Sequence, residues 1–165
     1  MTNFGNRYEI SSLTNDKVKL INSLHHRKYR REHNLFVAEG FRICREAAEN
    51  GWEIRYLLYD NLNIDTHIIE NLINDVLCLG ADVIGVTSEI LSKISHKENP
   101  QNVLCVIDQK WSNLPTIIKD KTFVALETVR DPGNLGTILR TMDGVGATDC
   151  ILLDECTDPF SYESV

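Results

Sequence analysis

Short apolar runs separated by longer amphipathic stretches constrain this 165-residue chain more than anything else in it. LFVAE at 35–39, IRYLLY at 54–59, VIGVT at 83–87 and VLCVI at 103–107 are rich in aliphatic and β-branched side chains and read as strands. Between them apolar residues recur at helical spacing over 41–50, 66–79 and 88–94, and Gly51 stands at the C-cap of the first of these helices. Near the start, Thr14, Asn15 and Asp16 offer N-caps, and Val18, Ile21 and Leu24 follow at helical spacing, so a basic amphipathic helix is expected over 15–31. Strands alternating with helices indicate an α/β layer fold, a sheet covered by helices.

Residues 110–121, KWSNLPTIIKDK, interrupt that rhythm with two polar clusters and Pro115, which is linker chemistry, with Trp111 and Ile117 available to dock it on a neighbour. The expected organisation is a first domain at 1–109, a linker at 110–121 and a second domain at 122–165. The last part reads as strand 122–127, helix 134–146 and strand 150–154, a βαβ unit expected to be parallel and right-handed. Near-continuous apolar strands belong to sheets covered on both faces, and about 45 residues cannot supply those covers. The second domain is therefore expected to continue beyond Val165.

Charge is distributed unevenly. The chain holds 17 basic and 24 acidic residues, a net charge of -7, yet Lys17 to Arg31 carries Lys17, Lys19, Arg27, Lys28, Arg30 and Arg31 without a single acid. Solvated helix faces normally mix signs, so this stretch favours a polyanion, a nucleic acid, as partner. No run approaches the ~18 apolar residues of a membrane helix, and MTNFGNRYEI lacks the pattern of a secretion signal, so cytoplasmic residence without a membrane partner is expected. Five cysteines without a CxxC pair argue against a disulfide framework or zinc site and are expected to be buried small hydrophobes. His25 and His26 are adjacent while His33, His67 and His96 stand alone, and no metal is assigned.

The stretch with the most chemistry is VRDPGNLGTILR at 129–140. Asp131 suits an N-cap and Pro132 the N1 position. At ~100° per residue Leu135, Ile138, Leu139 and Met142 form one core-facing stripe. Arg140 points away from it, near Gly133, Thr137 and Gly144, with Gly136 at the flank. Helical glycine costs ~1 kcal/mol relative to alanine, which is tolerable where a ligand or another backbone approaches closely. On these grounds Arg140 has three open roles: a ligand or phosphate contact, a structural ion pair, or simple solvation. A dinucleotide-binding reading is weaker, because the glycines are spaced GxxG, without GxGxxG or a P-loop lysine.

DPGNLGTILRTMDGVG at 131–146 closely resembles the first signature of the SpoU (TrmH) family of RNA ribose 2'-O-methyltransferases. KVKLINSLHHRKYRREHNLFVAEGFR at 17–42 and NPQNVLCVI at 99–107 resemble that family's N-terminal substrate-binding domain more loosely. The resemblance implies a small N-terminal RNA-binding α/β domain followed by the first part of a knotted SPOUT α/β methyltransferase domain. It matches Asn134 to the signature asparagine and Arg140 to the signature arginine, implicated in activating the ribose hydroxyl. RNA contacts are expected from Lys17, Lys19, Arg27, Lys28, Arg30, Arg31 and Arg42. The family's S-adenosylmethionine pocket is built from two later signatures, so the cofactor site is expected beyond Val165, with no cofactor-binding residue in this chain. The partner implied is ribosomal RNA, and the full-length protein is expected to dimerise. A non-catalytic RNA-binding module with a vestigial catalytic half remains the alternative.

Overall fold

Why the apolar runs are so continuous is visible in the first sheet, whose central strands are covered on both sides. The structure, a computed structural model, describes residues 4–97, 99–113 and 122–165. The chain divides into two compact units, Met1–Asp108 and Gln109–Val165. In the first, β1 (Arg7–Ile10), β2 (Leu35–Glu39), β3 (Ile54–Asp60), β4 (Asp82–Val86) and β5 (Val103–Asp108) form one sheet in the order β1-β4-β3-β5-β2. β1, β4 and β3 run parallel, whereas β5 is antiparallel to both β3 and β2. Leu57, Val83, Ile84, Leu104, Cys105 and Val106 are fully buried. Helices α1 (Asp16–Ser23), α2 (Arg27–His33), α3 (Phe41–Glu49), α4 (Thr66–Cys78) and α5 (Ser88–Ser95) accompany the sheet. Val18 and Ile21 of α1, Ile69, Leu72, Ile73 and Val76 of α4, and Ile90, Leu91 and Ile94 of α5 are buried in the same core. Each such Leu or Ile contributes roughly 1.5–3 kcal/mol of transfer free energy, so this sheet and its helices hold the unit together.

Two local differences from the sequence reading have physical causes. The single helix expected over 15–31 is two helices, α1 and α2, separated by a turn at 24–26. Val18, Ile21 and Leu24 bury the first stretch, but no aliphatic residue follows until Leu35, so nothing apolar holds a straight continuation against the core. His26 instead takes an extended conformation, ψ 128°, and restarts the chain. The second difference is β1, which the sequence reading does not predict. It is a four-residue edge strand with only Ile10 buried, too short for an alternation pattern to stand out.

In the second unit β6 (Phe123–Glu127) and β7 (Asp149–Leu153) are parallel neighbours, joined through α6 (Pro132–Gly144). Their side chains are half-buried or exposed throughout, in contrast to the sealed β5. Of the stretch expected to be a linker, residues 114–121 lie outside the described residues. Trp111, ahead of them, packs edge-on against Phe160, with ring centroids 5.1 Å apart, and so belongs to the second unit. Ile117 is outside the described residues.

The cysteines are less uniform than expected. Cys44, Cys105 and Cys156 are buried and Cys150 is half-buried, but Cys78 is exposed at the end of α4. Burial, with Cys44 adjacent, pushes the Cys105 thiol well up, and burial with Cys156 nearby raises Cys150, so neither is a ready nucleophile. Among the described residues, no group of three or more His, Cys, Asp or Glu could hold a metal ion, and no helix is long and apolar enough to cross a membrane.

Candidate functional site

The corner leading from β6 into α6 is built by its own sequence. The Asp131 carboxylate accepts the Asn134 N–H at 2.7 Å and Pro132 occupies N1, where a missing N–H costs nothing. Leu135 and Met142 are buried, Ile138 and Leu139 half-buried, and this stripe turns Asn134, Thr137, Arg140 and Thr141 outward. The Thr137 hydroxyl donates to the Gly133 carbonyl at 2.8 Å and accepts from Arg140 Nη2 at 3.4 Å. The guanidinium is thereby laid back along the helix toward its N-terminus. No carboxylate among the described residues pairs with it.

Gly136 answers the question its spacing raised. A Cβ there would sit 2.7 Å from the Ser164 carbonyl oxygen and 3.4 Å from Arg140 Nη1, so the close approach is made by backbone. Ser164 is fixed in turn: its hydroxyl lies 2.9 Å from that of Ser161 and within hydrogen-bonding distance of the Pro132 and Asp158 carbonyls. Sequence reasoning missed Ser164, because nothing local marks a serine whose carbonyl packs on a helix far upstream.

The seven basic residues expected to contact RNA do not share one face. Lys17 is half-buried, bonds the Tyr8 hydroxyl, reaches Asp82 Oδ2 at 3.1 Å, and stands 4.9 and 4.7 Å from the Tyr8 and Tyr56 ring centroids. Burial opposes its charge, but the bonds to Tyr8 and Asp82 prevail and raise its pKa. Arg30 is only 4% exposed and donates to the Leu24 and His25 carbonyls, both at 2.8 Å. These two side chains hold the fold, Lys17 tying α1 to the β1–β4 edge and Arg30 closing the turn between α1 and α2. Lys19 is exposed on α1 and pairs with Asp16 at 3.3 Å. Arg27, Lys28 and Arg31 are exposed on α2, and Arg42 on α3 pairs with Glu46 at 2.9 Å.

Residues 15–105 match the profile of the MRM3-like substrate binding domain. The chain belongs to that family. Over 157 residues it is 29% identical to the 23S rRNA (guanosine(2553)-2'-O)-methyltransferase RlmP of Bacillus subtilis (strain 168), covering 95% of this chain and 59% of the relative. An AdoMet-bound rRNA methyltransferase from Sinorhizobium meliloti has the same fold, with a TM-score of 0.86 and 40% identity, over 97% of this chain and 59% of that one. The SpoU methyltransferase AviRb from Streptomyces viridochromogenes, also in complex with AdoMet, gives a TM-score of 0.81 at 25% identity, over 91% of this chain and 57% of that one. This MRM3-like chain thus spans less than two thirds of the length of these relatives, and the SpoU resemblance read from residues 131–146 is borne out by them.

Proposed function

We propose that the chain is part of an S-adenosylmethionine-dependent ribosomal RNA ribose 2'-O-methyltransferase, with the substrate domain at 1–109 and the catalytic part at 122–165. The observation that supports it best is Arg140. An exposed guanidinium steadied by Thr137, with donors to spare and no carboxylate partner among the described residues, is suited to an oxyanion or phosphate.

A ribose hydroxyl is a poor nucleophile until its proton is drawn off and its oxygen is aligned with the reacting carbon. Arginine stays protonated at neutral pH, so Arg140 is assigned to gripping the neighbouring phosphate and the hydroxyl oxygen, while phosphate or water takes the proton. Asn134, exposed in the first turn of α6, is assigned to the ribose or to the loop that carries the arginine.

S-adenosylmethionine supplies the methyl group when bound. Around the candidate arginine, Asn134, Thr137, Arg140, Thr141 and Gly144 lie on an exposed face. A hollow of about 360 Å³ in the same unit is lined by Trp111, Leu139, Ile151 and Phe160 among others, and includes neither Asn134 nor Arg140. No residue of this chain is assigned to the cofactor, as the resemblance implies. RNA contact is assigned to Lys19, Arg27, Lys28, Arg31 and Arg42, and a cytoplasmic homodimer belongs to the same proposal. That the compared relatives are named as methyltransferases supports the enzyme over a binding module with a vestigial catalytic half.

Transfer of labelled methyl groups to ribosomal RNA is the direct test. In the enzyme, Arg140→Ala should abolish transfer and leave S-adenosylmethionine binding largely intact, because the arginine is assigned to the RNA and not to the cofactor, and Arg140→Lys should rescue little, because a point charge cannot reproduce the guanidinium fork. Wild-type turnover in either variant would remove Arg140 from the chemistry.

A further inference from the structure

α1 and α5 end side by side, and the residues that follow them form a feature that the basic patch alone does not explain. His25, in the turn after α1, stacks on His96, the residue capping α5, with ring centroids 3.8 Å apart and planes inclined by 26°. Both rings are fixed at their edges, His25 Nε2 by the Ile94 carbonyl and His96 Nε2 by Asn22 Oδ1 at 2.9 Å. His96 has a left-handed backbone, φ 55°, which ends α5 and carries the ring outward. It is exposed and lines an open hollow of about 420 Å³ with Asn22, Ser92 and Lys93.

A core histidine would be enclosed, and a mobile surface histidine would not be bonded and stacked at once. His96 is held yet accessible: His25 covers one face of the ring, and among the described residues no second ring packs on it. Ordering the ring beforehand reduces the entropy lost when a ligand stacks on it. The charge beside it is positive, from the exposed Lys93. From His25 the chain runs directly into exposed His26, Arg27 and Lys28, with the Tyr29 ring 6.2 Å from that of His26 and the Lys28 ammonium 5.5 Å from Tyr29. Flat rings interleaved with cations match the two parts of an unpaired nucleotide, a base that stacks and a phosphate that pairs with charge.

We propose that the hollow bounded by His96, Lys93, Asn22 and Ser92 is a nucleotide subsite in which an unpaired RNA base stacks on His96 and its phosphate meets Lys93. The assignment rests on reading the first unit as the RNA-binding part. It adds a preference for single-stranded over duplex RNA, since a paired base has no free face to offer the ring.

Fluorescence anisotropy of the 165-residue chain with a fluorescein-labelled single-stranded RNA of about 20 nucleotides, and with the duplex of the same sequence, tests it. His96→Ala and Lys93→Ala should each weaken single-strand binding about five- to tenfold and leave duplex binding within about twofold of wild type. His96→Phe, which keeps a stacking face, should bind the single strand within about twofold of wild type. Lys93 is exposed, so its variant reports even where His96→Ala loosens the α1–α5 junction. If Lys93→Ala and His96→Ala bind as wild type while the triple variant Arg27→Ala, Lys28→Ala, Arg31→Ala is weakened, the subsite is wrong and the RNA-binding reading stands. If the triple variant also binds as wild type, that reading fails and the subsite with it.

Discussion

Arg140 depends on a hydroxyl one turn away. Because Thr137 donates its proton to the Gly133 carbonyl, it can only accept from the guanidinium. Thr137→Val keeps the side-chain shape and removes that acceptor. Hydrogen bonds to charged groups are worth roughly 1.5–3 kcal/mol when well made, and at 3.4 Å this one falls near or below the lower end. A loss of about 1 kcal/mol corresponds to methyl transfer slowed about fivefold in single-turnover assays, with unchanged S-adenosylmethionine binding and recovery in Thr137→Ser. An unchanged rate in the valine variant would mean that Thr137 does not position the arginine. Gly136 and Gly144 make a matched pair for stability. Gly136→Ala drives a methyl group against the Ser164 carbonyl and should cost about 1–3 kcal/mol in urea unfolding, whereas Gly144→Ala meets nothing within 4 Å and should gain up to about 1 kcal/mol. Equal effects would show that the contact at Gly136 relaxes freely. The sequence made a close approach legible at Gly136 but not that backbone makes it, since the partner lies far along the chain and contributes only a carbonyl; at Gly144, where the same was expected, nothing comes within 4 Å.

The elements themselves were legible wherever a whole apolar stripe announced them, as in α4, β3 and β5, and not where a few residues are held by distant polar partners. β1 and the break between α1 and α2 are of the second kind. Asp82, at the start of β4, accepts from the Asn6 backbone at 3.0 Å, the Tyr8 hydroxyl at 3.1 Å and Lys17 at 3.1 Å, and so fastens both β1 and α1. In sequence the bases between Lys17 and Arg31 look like one positive face, but Lys17 and Arg30 serve this internal fastening. Burial pushes the Asp82 pKa up, and the bonds from Asn6, Lys17 and Tyr8 more than offset it, leaving the carboxyl below its ordinary value. A group with a lowered folded pKa stabilises fully above its unfolded value, about pH 4, and loses that contribution as pH falls through the folded pKa. Asp82→Asn should therefore be less stable than wild type at about pH 7 and lose less stability between about pH 5 and pH 3, as read by urea unfolding at each pH. A parallel decline of the two proteins would mean that the carboxylate's charge does not matter to this edge. Lys17→Met should destabilise by roughly 1 kcal/mol at neutral pH, a modest figure because the ammonium is only half-buried.

At the scale of the whole chain, a net charge of -7 works against any polyanion, so binding to RNA must be local and oriented. The exposed bases of α2, Arg27, Lys28 and Arg31, provide such a face, and they follow directly on the stacked His25. Each phosphate neutralised on a single strand steepens the dependence of affinity on salt by about 0.7 in a log–log plot. The five bases assigned to RNA, with Lys93, predict a slope of about -3.5 to -4, and replacing Arg27, Lys28 and Arg31 by alanine should make it shallower by about 2. Arg30 belongs outside that set, because Arg30→Ala removes the donor to the Leu24 and His25 carbonyls and would disturb the turn that presents the others. The slope is more informative than affinity at one salt concentration. A variant that binds weakly because it is partly unfolded retains the wild-type slope at reduced occupancy, whereas one that has lost phosphate contacts changes it. A slope unaltered in the triple variant would place the phosphate contacts on another face, even if the affinity had fallen.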